Sequence, residues 1–138
     1  MSMETTIEEV DGAVPITILA LDGELDASNY QDLIDTVKRL YDEGARKLIV
    51  DLANLRFMAS SGLVALHSIV QIMHGQPQLD PEGGWQALHS LGGERQTEVR
   101  LAGPQLAVER VLQRTGLDRM FVVHADRYTA IDAASAAV

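Results

Sequence analysis

Lys47-Leu-Ile-Val-Asp-Leu-Ala-Asn-Leu-Arg-Phe-Met-Ala-Ser-Ser-Gly-Leu-Val-Ala-Leu-His-Ser-Ile-Val-Gln-Ile-Met-His74 is the stretch that decides the fold. The unbroken apolar run Leu48-Ile49-Val50, with Leu52 after it, has the pattern of a strand buried on both faces. Ala53-Asn54-Leu55-Arg56 reads as a short polar connection, followed by the apolar pair Phe57-Met58. After Ser60-Ser61-Gly62 a helical period begins. Leu63, Leu66, Val70 and Met73 share one helix face, which Ile69 and Ile72 widen. Val64, His67, Ser68, Gln71 and His74 fall mostly elsewhere on that helix. The two serines therefore stand at the entry to an amphipathic helix, just past a buried strand.

A helix entry has chemical consequences. Its first backbone N–H groups lack intrahelical partners, and the helix dipole places roughly half a positive charge there. A serine at this position caps the helix, or, if phosphorylated, offers a phosphate to the same N–H groups. Both readings fit Ser60 and Ser61 on local chemistry alone.

Working outward, residues 3–10, of mixed polarity, read as an edge strand, with Asp11-Gly12 as a hairpin turn. The β-branched run from Pro15 to Leu21 is its partner. Gly23-Glu24-Leu25-Asp26 ends that strand, and a helix is predicted from about Ser28 to Asp42, with Asp26 or Ser28 as N-cap. Leu33, Val37, Leu40 and Tyr41 form its buried stripe, Asp32, Asp35, Lys38 and Arg39 face water, and Gly44 stops it. Downstream, the periodicity predicts a strand over Glu98–Ala102, a helix over Gln105–Thr115 stopped by Gly116, a strand over Met120–His124, and a last helix capped by Asp126. Between them, 75–97 is rich in glycine and proline around Trp85 and reads as a flexible insertion. The order of elements predicts one α/β domain over 1–138, a mixed sheet covered by about four helices.

Composition narrows the function. A net charge of −9 disfavours binding to nucleic-acid phosphates or to anionic membranes. No run approaches the roughly 18 apolar residues of a membrane span. The opening Met1-Ser2-Met3-Glu4 lacks the pattern of a secretory signal, and the absence of cysteine suits a reducing cytosol, so a cytoplasmic location is expected. No cofactor and no metal site is expected. His67 and His74 lie ~10.5 Å apart along a helix, too far to share one zinc ion, and are read as surface residues. A serine nucleophile elbow would need glycine where Ala59 and Leu63 stand. A small serine hydrolase is thus the weakest reading, and no enzymatic activity is expected.

Two motifs carry a family resemblance. Asp51-Leu52, Phe57-Met58 and Ser60-Ser61-Gly62-Leu63, in that order, resemble the central motif of the STAS domain family of bacterial anti-anti-sigma factors. Gly23-Glu24-Leu25-Asp26 resembles the same family's upstream signature. Ala59 departs from the pattern, standing where the family usually has aspartate. The resemblance implies an anti-sigma factor antagonist. Unphosphorylated, it would bind an anti-sigma factor that is also a serine-protein kinase of the histidine-kinase-like ATPase type, and so release a sigma factor. Phosphorylation would switch it off, and a phosphatase would reset it. The resemblance places the phosphoacceptor at Ser61, with Ser60 second, and a partner-binding surface on Asp26, Ser28, Ala59, Ser60, Ser61, Gly62 and Val64. The alternative is a STAS module that binds a protein, without phosphorylation, in a larger regulatory or transport assembly.

Overall fold

The computed structural model describes residues 3–11, 15–74 and 96–136. These form five strands and five helices. In chain order they are β1 (Met3–Val10), β2 (Ile16–Leu25), α1 (Tyr30–Asp42), β3 (Lys47–Met58), α2 (Ser60–Met73), β4 (Gln96–Ala102), α3 (Leu106–Thr115), the one-turn α4 (Leu117–Met120), β5 (Phe121–His124) and α5 (Arg127–Ala136). The expected insertion at 75–97 lies outside the described residues, except for Gln96 and Thr97, which open β4.

The sheet runs β1-β2-β3-β4-β5. β1 pairs antiparallel with β2, in register from Met3 opposite Gly23 to Val10 opposite Ile16, and the other neighbours are parallel. Each parallel step needs a crossover, which α1, α2 and the α3–α4 pair supply. They pack on one face of the sheet. There Leu19, Leu21, Leu48, Val50, Leu52, Val99 and Leu101 meet Leu33, Val37, Leu66, Ile69, Val70, Val108 and Leu112. Among the described residues, α5 covers the opposite face, where Ala130 and Ala134 rest on Ile16, Ile18, Ile49 and Ala102.

Polar groups pin α5 in place. Arg127, its first residue, donates through Nε to Asp51 of β3 at 2.7 Å and through a terminal nitrogen to Glu8 of β1. Lys47 donates to the Ala134 carbonyl at the other end of the helix. Asp126 caps α5 as expected, accepting from the Thr129 N–H at 2.8 Å and from its hydroxyl at 3.0 Å. Gly116 ends α3 at φ +79, in the left-handed region where glycine is favoured.

Three local expectations are corrected. Neither Gly23-Glu24-Leu25 nor Ala53–Arg56 interrupts a strand. β2 and β3 continue together beyond the end of β4, with Asp22 opposite Asn54 and Leu25 opposite Met58. Irregularities between Ala20 and Asp22 and between Gly23 and Glu24 shift the register along this two-stranded ledge. Its side chains therefore do not alternate cleanly, and Asn54, Arg56 and Phe57 are exposed. Second, α1 starts at Tyr30 rather than Ser28, because Asp26 to Asn29 are held in a turn of their own. Third, α2 is not amphipathic. His67, Ser68 and Gln71 are as buried as its apolar residues, and only His74 keeps to the surface as read, paired with Glu98 at 3.1 Å.

Candidate functional site

The ledge carries the candidate site. The chain leaves β3 at Met58 and enters α2 within two residues, and the Ala59 N–H donates to the Leu25 carbonyl of β2 at 2.9 Å. That bond ties the start of α2 to the β2–α1 connection. The next turn is set by Gly62, whose N–H donates to the Ala59 carbonyl at 2.9 Å. A Cβ on Gly62 would lie 2.5 Å from Met58 Cγ and 3.0 Å from Leu25 Cδ2. Both neighbours are closed in, Leu25 at 0% and Met58 at 2% exposure. Glycine is there for close approach, and its φ is not in the left-handed region.

The facing connection is a compact polar turn. Asn29 brackets it, accepting from the Asp26 N–H at 3.0 Å and donating to the Glu24 carbonyl at 2.8 Å. The Asp26 carboxylate does not cap α1 as expected. It accepts from the Ser28 hydroxyl at 2.5 Å and the Ser28 N–H at 2.9 Å. These two bonds, the hydroxyl's first, hold its carboxyl below the usual carboxylate range. Ser28 is exposed, and the turn presents a fixed negative charge beside the helix start. The structure thus brings Asp26, Ser28 and Ala59 to Gly62 to one end of the sheet, with Val64 one turn further along α2.

The helix start itself is bare. Ala59 is the N-cap, with no side-chain cap and no acidic residue in the first turn. Neither serine caps α2, since both lie inside it. Their environments differ. Ser60 is exposed, whereas the Ser61 Oγ is enclosed and has no hydrogen-bond partner. Among the described residues no base is hydrogen-bonded to the Ser61 hydroxyl. Among the described residues no group of three or more His, Asp or Glu side chains is placed to hold a metal ion, and no helix is long and apolar enough to cross a membrane.

Sequence reasoning missed the burial along α2. His67 is 4% exposed with its Nε2 unpartnered, and burial lowers its pKa from the ordinary histidine range. The composition of that helix face gives no signal for this, because the polar residues carry the same spacing they would have on a solvated stripe.

The site is thus a bare, glycine-wedged helix start beside an Asx turn, at one end of an α/β sheet with helices on both faces. Residues 5–75 match the STAS domain model, and the chain belongs to that family. No curated protein sequence matches it. Among solved structures it is similar to an anti-sigma factor antagonist from Mycobacterium paratuberculosis, with TM-score 0.70 and 22% identity over 96% of this chain and 94% of that one. It is similar to a putative anti-sigma factor antagonist from Thermotoga maritima, with TM-score 0.70 and 22% identity over 93% and 92%. The Bacillus cell fate determinant SpoIIAA in its phosphorylated form resembles it at TM-score 0.60 and 21% identity over 94% and 97%. Identities this low speak for a shared fold.

Proposed function

We propose that this protein is an anti-sigma factor antagonist switched by serine phosphorylation at the start of α2. The observation that carries the reading is the bare first turn of α2, small and neutral from Ala59 to Gly62, with an exposed Ser60 beside the Asp26–Ser28 turn. Membership of the STAS family and the fold shared with anti-sigma factor antagonists support it. The partner is an anti-sigma factor with serine-kinase activity that brings its own ATP. The γ-phosphoryl group passes to a serine oxygen, ADP leaves, and the hydroxyl proton goes to a base on the kinase. Motif resemblance makes Ser61 the proposed acceptor, its enclosed Oγ turning outward to meet the kinase, with the exposed Ser60 second.

A partner packing on Ala59 to Gly62 meets no charge and little bulk. A phosphate there adds about −1.5 to −2 charges. Burying a charge without a partner costs several kcal/mol, and even 1.4 kcal/mol is tenfold in affinity. Co-purification from the native host, identification of the bound kinase and phosphopeptide mapping test the reading. Ser61→Ala should abolish phosphate incorporation and keep binding, and Ser61→Asp should weaken binding. Phosphate on Ser60 alone moves the acceptor to the first serine. A partner that binds but never phosphorylates the chain moves the reading to a constitutive STAS binding module.

A further inference from the structure

We infer that the cleft between the end of α1 and the edge strand β1 binds a small organic cation, an ammonium group on an apolar body. On the helix-covered face of the sheet, β1 carries Ile7 opposite Leu19 and Glu9 opposite Thr17. α1 leaves both β1 side chains exposed, Ile7 at 41%. A cavity of about 420 Å³ opens there, inside the roughly 300–1,000 Å³ of small-molecule pockets. Ile7 and Glu9 line it from β1, Arg39, Leu40 and Glu43 from α1 and its C-cap, and Thr17 from β2 between them. Thr17 is 6% exposed, yet its hydroxyl has no hydrogen-bond partner among the described residues. Folded proteins leave few buried polar groups unpaired, and each one calls for a reason. A ligand in the cavity that Thr17 lines supplies it.

The charges around the cavity select the sign of the ligand. Glu9 has no ion-pair partner among the described residues. Glu43 pairs with Arg39 at 3.7 Å, but both side chains are 59% exposed, so the pair is weak and rearranges readily. Arg46, the next cation along the chain, is engaged by the Tyr41 and Ala45 carbonyls and does not line the cavity. Two carboxylates therefore face one guanidinium, and the cavity is negative on balance. An ammonium there donates to the Thr17 hydroxyl and to the Glu9 carboxylate, while the apolar body of the ligand covers Ile7 and Leu40. The 13 residues of α1, at about 1.5 Å each, put roughly 20 Å between this cleft and the Asp26–Ser28 turn. The cation site is thus separate from the partner surface and does not rest on the function proposed for it.

The test titrates the full chain, labelled with nitrogen-15, with phenethylammonium and separately with 3-phenylpropionate, an anion of nearly the same shape. Phenethylammonium should shift the amide signals of Thr17 and Gly44 along a saturable curve, and 3-phenylpropionate should leave them in place. Glu9→Gln removes the unpaired carboxylate at an exposed position, and Thr17→Val replaces the hydroxyl by a methyl of the same shape, so both variants keep the fold. Each should weaken phenethylammonium binding several-fold. Equal binding of the two probes, the absence of a saturable shift at Thr17 and Gly44, or variants that bind like the parent overturns the inference.

Discussion

Adding one methyl group at Gly62 probes how the docking end is held. The new Cβ would come within 2.5 Å of Met58 Cγ and 3.0–3.1 Å of the Leu25 side chain. Met58 meets it in mid-chain, so rotating its tip brings no relief, and both residues are enclosed. Overpacking of this kind costs about 1–3 kcal/mol. Replacing glycine by alanine inside a helix returns up to about 1 kcal/mol. Gly62→Ala should therefore destabilise the protein by about 1–2 kcal/mol, read as a lower urea midpoint at unchanged slope. Met58→Ala alone should cost about 2–5 kcal/mol, since it empties a buried site. In that background the cost of Gly62→Ala should shrink, giving a coupling of at least ~0.5 kcal/mol between the two positions. A Gly62→Ala protein as stable as the parent, or an equal penalty with and without Met58, would refute the wedge.

Leu66 is fully buried at the centre of the helix-covered face, and Leu66→Ala should cost about 2–5 kcal/mol in the same urea melts. Arg127→Met leaves Asp51 without its ion pair; because Arg127 is a quarter exposed, the expected loss is about 1.5–3 kcal/mol, the range for hydrogen bonds to charged groups, and an unchanged midpoint would count against α5 being pinned there. His67 is held below the ordinary histidine range, so near pH 6 the unfolded chain binds a proton that the folded chain does not. Stability should fall as pH drops through about 6.5, and His67→Gln should flatten the denaturation free energy between about pH 7 and 5, His124 adding a slope of the same sign.

The sequence by itself determined the framework. The apolar run Leu48–Val50, the periods from Leu33 to Leu40 and from Leu63 to Met73, and the stops at Gly44 and Gly116 specify a mixed α/β sheet, because burial demands are written in spacing. The two motifs also pointed to the STAS family and to the turn where β3 meets α2. Tertiary structure decided the rest. Residues 22–25 and 53–58 look like loops singly and become strands only by pairing with each other, since their hydrogen bonds are long-range and their side chains half exposed. Gly62 gains its meaning from Leu25 and Met58, one distant in sequence and one near. The contrast between Ser60 and Ser61 is a matter of one helical step of about 100°, which turns one hydroxyl into water and the other into the protein. Neighbouring letters of the same residue type cannot carry that difference, because enclosure is a property of what packs around a side chain and not of the side chain itself.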